Sequence, residues 1–132
     1  METDFNNIIE QICECDSRYK IDAYEFVMEA LTYTQKRFKC AKHVSGEDML
    51  KGMKDLLMEK YGPMTLTVLK HWGIQSTEDF GHVVFNLVEK KVLSKTEDDR
   101  IEHFRDAYDF QEVFDRGYRK ILAKKISRMR SI

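Results

Sequence analysis

The chain has 132 residues, 42% hydrophobic and 34% charged, with a formal net charge of −1, the balance expected of one soluble globular domain with a single core. No run of about 18 apolar residues occurs, which argues against a helical membrane span. The acidic start Met1-Glu2-Thr3-Asp4-Phe5 lacks the features of a secretory signal, and Cys13, Cys15 and Cys40 are an odd set that fits a reducing compartment and gives no disulfide framework, so a cytoplasmic protein is expected.

Helical periodicity begins at once. Phe5, Ile8, Ile9 and Ile12 fall at i, i+3, i+4 and i+7 and predict a first helix over 4–15, ended by Asp16-Ser17. A second helix is predicted over 22–38. Asp22 caps it, and Ala23, Phe26, Val27, Ala30, Leu31, Thr34 and Phe38 line its inner face. After the connector Cys40-Ala41-Lys42-His43-Val44, the pattern Ser45-Gly46-Glu47-Asp48 resembles a capping box and opens a third helix. Met49, Leu50, Met53, Leu56, Leu57 and Tyr61 form its core face. Gly52 lies inside that helix at a cost of about 1 kcal/mol against Ala; a close helix–helix contact would explain it.

Gly62-Pro63 is a boundary: Gly ends a helix in the left-handed conformation, and Pro suits the first turn of the next. The short fourth helix turns Met64, Val68, Leu69 and Trp72 inward, and Gly73 stops it. Ser76-Thr77-Glu78-Asp79 caps a fifth helix with the inner face Phe80, Val83, Val84, Leu87 and Val88. Residues 92–108 have two readings, a small β-hairpin that gives residues 64–108 a winged-helix outline, or an irregular loop. Asp109-Phe110-Gln111-Glu112 then starts the last helix, whose face is Phe110, Val113, Phe114, Tyr118, Ile121 and Leu122, mildly interrupted by Gly117. The expected fold is mainly α: a compact single-domain bundle of about six helices over 1–115, followed by a basic helical arm over 116–132.

Charge is distributed unevenly. The arm carries Arg116, Arg119, Lys120, Lys124, Lys125, Arg128 and Arg130 and no acid, so residues 1–115 hold a net −8. Arg116, Lys120, Lys124 and Arg128 recur every four residues and form one helical stripe, with Arg119 beside it. Such a stripe neutralises phosphates and releases counterions. Tyr118, Ile121, Leu122 and Met129 are expected to anchor the opposite face. The central pair of helices also has a helix-turn-helix outline. Its second helix would expose Glu78, Asp79, His82, Asn86 and Glu89, and acids facing phosphates are unfavourable, so the arm is the better nucleic-acid site.

Catalytic equipment is not legible. The chain has no Gly-rich phosphate loop, HExxH or GxSxG. Cys13 and Cys15, one residue apart on a helix, point in different directions. Cys40 and His43 lack a second ligand pair, and Glu97-Asp98-Asp99 lacks the spacing of a calcium loop. His43, His71, His82 and His103 have no partner fixed by local spacing. No metal or cofactor is expected, and no enzyme.

The ordered segments Arg18-Tyr19, Ala23-Tyr24-Glu25-Phe26-Val27, His43-Val44-Ser45-Gly46-Glu47, Tyr61-Gly62-Pro63-Met64, Trp72-Gly73-Ile74, Asp79-Phe80-Gly81 and Tyr108-Asp109-Phe110 together resemble a family of short bacterial, mainly helical proteins of unassigned function. The likeness covers about residues 18–114 and implies no activity or site residues. Phe80-Gly81-His82-Val83-Val84 with Tyr108-Asp109-Phe110 also resembles the end of the ATP-cone, whose basic nucleotide-gripping start has no counterpart here. The expectation is a small non-catalytic binding protein. Its arm contacts nucleic acid without base specificity; the alternative is a protein-interaction module that docks through helical faces.

Overall fold

The computed structural model describes residues 2–37, 44–93 and 101–130. Helix α1 spans Glu2–Cys15, α2 Ile21–Arg37 and α3 Gly46–Tyr61. A 3₁₀ turn, Gly62–Met64, leads into α4, Thr65–Trp72, and α5 runs Thr77–Glu89. A second 3₁₀ turn at Ile101–Phe104 and a π-helical stretch at Gln111–Arg116 precede α6, Gly117–Arg130. The described residues contain no strand. The β-hairpin reading is therefore corrected: Val92 and Leu93 form a bend and Ile101–Phe104 a helical turn, while residues 94–100 lie outside the described residues. The reason is local. Lys91 takes a left-handed φ of 61°. Its N–H donates to Val88 O at 2.9 Å and that of Val92 to Leu87 O at 2.9 Å, the double bond that ends a helix by turning the chain back. Phe104 is then buried, and its carbonyl accepts from Thr77 Oγ1 at 2.5 Å.

Each helix begins or ends where its residues dictate. Ser45 Oγ accepts the Asp48 N–H at 3.1 Å and opens α3. Gly62 (φ 47°) closes it. Gly73 (φ 86°) closes α4, with its own N–H on Lys70 O and that of Ile74 on Leu69 O. A side chain at Gly73 would be strained in that backbone and would strike the Arg18 carbonyl. Gly52 has the close contact its sequence position called for: a Cβ there would overlap the Thr34 hydroxyl of α2. Met64, expected on the inner face of α4, is 55% exposed. It falls in the preceding 3₁₀ turn, and Thr65 takes the buried position, donating to Leu57 O and Gly62 O.

The core lies between α2, α3, α4 and α5, closed at one end by α1 and at the other by the segment around Phe110. Trp72 is buried against Phe26 of α2, ring centroids 5.3 Å apart, and edge-on to Tyr61 at the end of α3, 5.8 Å. Phe26 also meets Phe80 of α5 at 6.2 Å, and Phe80 meets Phe110 at 5.9 Å. This aromatic chain carries the packing from α4 to the root of the arm.

The loop between α1 and α2 is tied down by polar bonds. Tyr19, buried, donates to Asp79 Oδ1 at 2.6 Å. Asp79 Oδ2 accepts the backbone N–H of Gln75 and Ser76 at 2.7 and 3.3 Å. Asn86 Nδ2 donates to Asp16 Oδ2 at 3.0 Å and to the Tyr24 hydroxyl at 3.1 Å. Lys20 N–H reaches Trp72 O at 3.1 Å. Four long-range bonds thus fasten residues 16–24 to the α4–α5 corner.

Candidate nucleic-acid interface

The arm is rooted by aromatic packing. Asp109 starts the last helix, its Oδ1 accepting the Glu112 N–H at 3.0 Å. Phe110 and Phe114 are buried, with centroids 5.6 Å apart, and Tyr108 packs edge-on to Phe114 at 6.1 Å. Tyr108 also donates its hydroxyl to Leu50 O at 2.9 Å, and burial pushes its pKa up. One expected half of the last helix is therefore inside. The wider π turn occupies Gln111–Arg116, and Gly117 marks the return to α geometry.

Beyond Gly117 the surroundings change. Helix α6 packs mainly on the π stretch that feeds it. Arg119, Lys120, Lys124, Lys125 and Arg128 are all exposed. Arg119 makes an ion pair with Asp115 one turn back, 3.0 Å. Arg116 and Arg130 sit on the same helical backbone, and their side chains lie outside the described residues, as do those of Tyr118, Ile121 and Met129. Leu122 departs from expectation. It was placed on an anchoring face but is 43% exposed, as is Ile126. Among the described residues the buried aromatic cluster ends at Phe114, and the described side chains of α6 are exposed.

Helical spacing gives the arm two faces. Lys120, Lys124 and Arg128 form a cationic stripe of about 12 Å along the axis. Leu122 and Ile126 form an apolar strip on the other side, edged by Arg119 and Lys125. The stripe presents three mobile, hydrated positive groups to any polyanion, and nothing in it reads a base edge.

The helix-turn-helix alternative loses its reading face. Asp79 and Asn86 are engaged with Tyr19, Asp16 and Tyr24, and Gly81, Val83 and Leu87 are buried. His82, expected on the open face, is half-buried with Nε2 3.8 Å from Glu78 Oε1.

The remaining candidates for chemistry resolve plainly. Cys13 is half-buried, its Sγ 3.8 Å from Tyr19 O. Burial, reinforced by Asp16, pushes its thiol up, away from a reactive thiolate. Cys15 is exposed. Cys40, His43 and Glu97-Asp98-Asp99 lie outside the described residues, as does the His103 side chain. Among the described residues no group of three or more His, Cys, Asp or Glu side chains is placed to hold a metal ion, and no helix is long and apolar enough to cross a membrane.

One feature went unread in the sequence. An open groove of about 610 Å³ runs between α2 and α4, lined among others by Asp22, Glu25, Glu29, Tyr61, Val68 and Trp72. Lys60 crosses one end, 2.6 Å from Glu29 and stacked over Tyr61. The spacing of Asp22, Glu25 and Glu29 at i, i+3 and i+7 was the available signal, since it puts three acids on one ridge of α2.

Compared with known protein families, with curated proteins and with solved structures, the chain matches none.

Proposed function

We propose that the chain is a small non-catalytic binding protein whose C-terminal arm contacts the phosphate backbone of nucleic acid without reading base sequence. The observation that carries this reading is the state of the arm: a helix whose described side chains beyond Gly117 are exposed, in a segment, residues 116–132, with seven cations and no acid, set on a body of net −8. A body of that sign repels phosphates, so contact falls to the arm. The stripe Lys120, Lys124, Arg128 supports it in detail, because its free groups neutralise phosphates and release counterions.

The test is a salt series on mixed-sequence DNA and RNA with the intact chain. Binding is expected to weaken steeply with salt, with a log–log slope between about −3 and −6 on duplex DNA for three to seven neutralised phosphates. Lys120→Glu, Lys124→Glu and Arg128→Glu together abolish it, and probe sequence matters little. Undetectable binding at low salt, or binding unchanged by the triple variant, would remove the arm from this role. A second reading, a protein-docking module, is favoured by the exposed Leu122 and Ile126, which phosphate contact leaves unused.

A further inference from the structure

Two surfaces of this chain are complementary. The first is the apolar strip of the arm, Leu122 and Ile126, each 43% exposed and edged by Arg119 and Lys125. The second is the α2–α4 groove, with Phe26 and Trp72 at its base, Val68 and Thr67 on one wall and the exposed acids Asp22, Glu25 and Glu29 on the other, Glu29 being paired with Lys60 at one end. An amphipathic helix laid in a groove is a recurrent docking mode, anchored by residues at i and i+4. Here the anchors are apolar, the groove floor is aromatic, and the edges carry opposite charge.

The occupant must come from another molecule. The arm is rooted beside Asp109, Phe110 and Gln111, which share a second hollow with Leu66, Thr67, Leu69 and Lys70 of α4. The acidic groove uses Val68, His71 and Trp72 on the other flank of the same helix, with Thr67 on the edge common to both hollows, and Leu122 and Ile126 stay exposed instead of entering their own groove. Pairing two arms with each other is disfavoured by charge, since it sets seven cations against seven with no acid in either segment.

We propose that the arm's apolar strip docks in the α2–α4 groove of a second copy of the chain, reciprocally, giving a two-fold dimer. Arg119 and Lys125 meet the acidic ridge of the partner subunit. Lys120, Lys124 and Arg128 point away from the groove and remain open to solvent. The dimer does not rest on the nucleic-acid reading, and its test contains no nucleic acid.

The experiment is sedimentation of the full chain over a concentration series at low and high salt. A concentration-dependent dimer that weakens as salt rises is expected. The paired reversal Glu25→Lys with Glu29→Lys lowers association by about tenfold or more, as does Ile126→Glu. Combining the groove reversal with Arg119→Glu and Lys125→Glu restores the dimer. Ile126→Glu alters an exposed side chain, so it reads the contact even where the groove variant loses its fold, which circular dichroism reports. A chain that stays monomeric at every concentration overturns the proposal. So does a dimer that survives both reversals, or a charge swap on folded chains that fails to restore it.

Discussion

At the scale of single residues, the polar ties of the first loop bear on the acid stability of the fold through Asp16. The Arg18 side chain hydrogen-bonds Asp16, and Asn86 adds a second bond. Together they hold the Asp16 carboxyl well below the usual carboxylate range. A carboxyl whose folded pKa is depressed contributes stability that is complete above its unfolded pKa of about 3.9 and is lost as pH falls towards the folded value. Asp16→Asn is therefore expected to flatten the acid limb of a melting-temperature profile taken from about pH 7 down to about pH 2. An unchanged acid limb would show that other carboxylates set it. Trp72 follows from its burial between Phe26 and Tyr61. Trp72→Ala is expected to cost about 3–5 kcal/mol, and the native emission maximum is expected to lie at the short wavelengths of a buried indole. None of the loop's long-range ties was legible. Asp16, Tyr19, Asp79 and Asn86 are distant in the chain, and local spacing says nothing about bonds that span 60 to 70 positions.

At the scale of elements, caps and glycines were the readable part. Ser45, Gly62, Gly73 and Asp109 start and stop helices for reasons visible in four or five neighbouring residues. Gly52 was legible as an anomaly, and the structure supplies its cause in Thr34. Gly52→Ala raises helix propensity by about 1 kcal/mol but forces the new methyl into the Thr34 hydroxyl, an overpacking of about 1–3 kcal/mol. Net destabilisation is expected in chemical denaturation. Thr34→Ala in the same chain should recover part of it, because removing both the hydroxyl and the γ-methyl leaves only the Cβ, 2.9 Å from the new methyl. A Gly52→Ala chain as stable as the parent would mean that α2 and α3 separate without cost. The residues around 92–108 were misread as a possible strand pair because short apolar–polar alternation fits a helical turn equally well, and the left-handed Lys91 has no sequence signature comparable to Gly.

At the scale of the whole molecule, the division between body and arm was legible in charge and not in packing. Seven cations without an acid announce an exposed segment, yet Leu122 looked like an anchor because its periodicity continues that of Phe110 and Phe114. Periodicity cannot say where a core runs out. The described side chains of the arm between Arg119 and Arg128 are exposed, so removing residues 117–132 is expected to leave the unfolding free energy of the body within about 0.5 kcal/mol, the range of surface changes. The measurement is chemical denaturation of the intact and shortened chains. A large loss would place the arm in the core and refute its independence.

The fastening of residues 16–24 to the α4–α5 corner also sets an order of events. Lys20 needs the carbonyl of Trp72, Tyr19 needs Asp79, and Asp16 needs Asn86. A chain emerging from the ribosome amino end first therefore holds its first three helices without their clasp until roughly two thirds of its length has been made. Over that interval Tyr19 and Tyr24 have no hydrogen-bond partner from the later half, and Phe26 has neither Trp72 nor Phe80 to lie against. A fragment ending at Tyr61 is expected to show helical circular dichroism without a cooperative melt. A fragment ending after Leu93 should acquire one only as far as the Phe110 segment is dispensable. The earliest helices of this protein wait on its fourth and fifth.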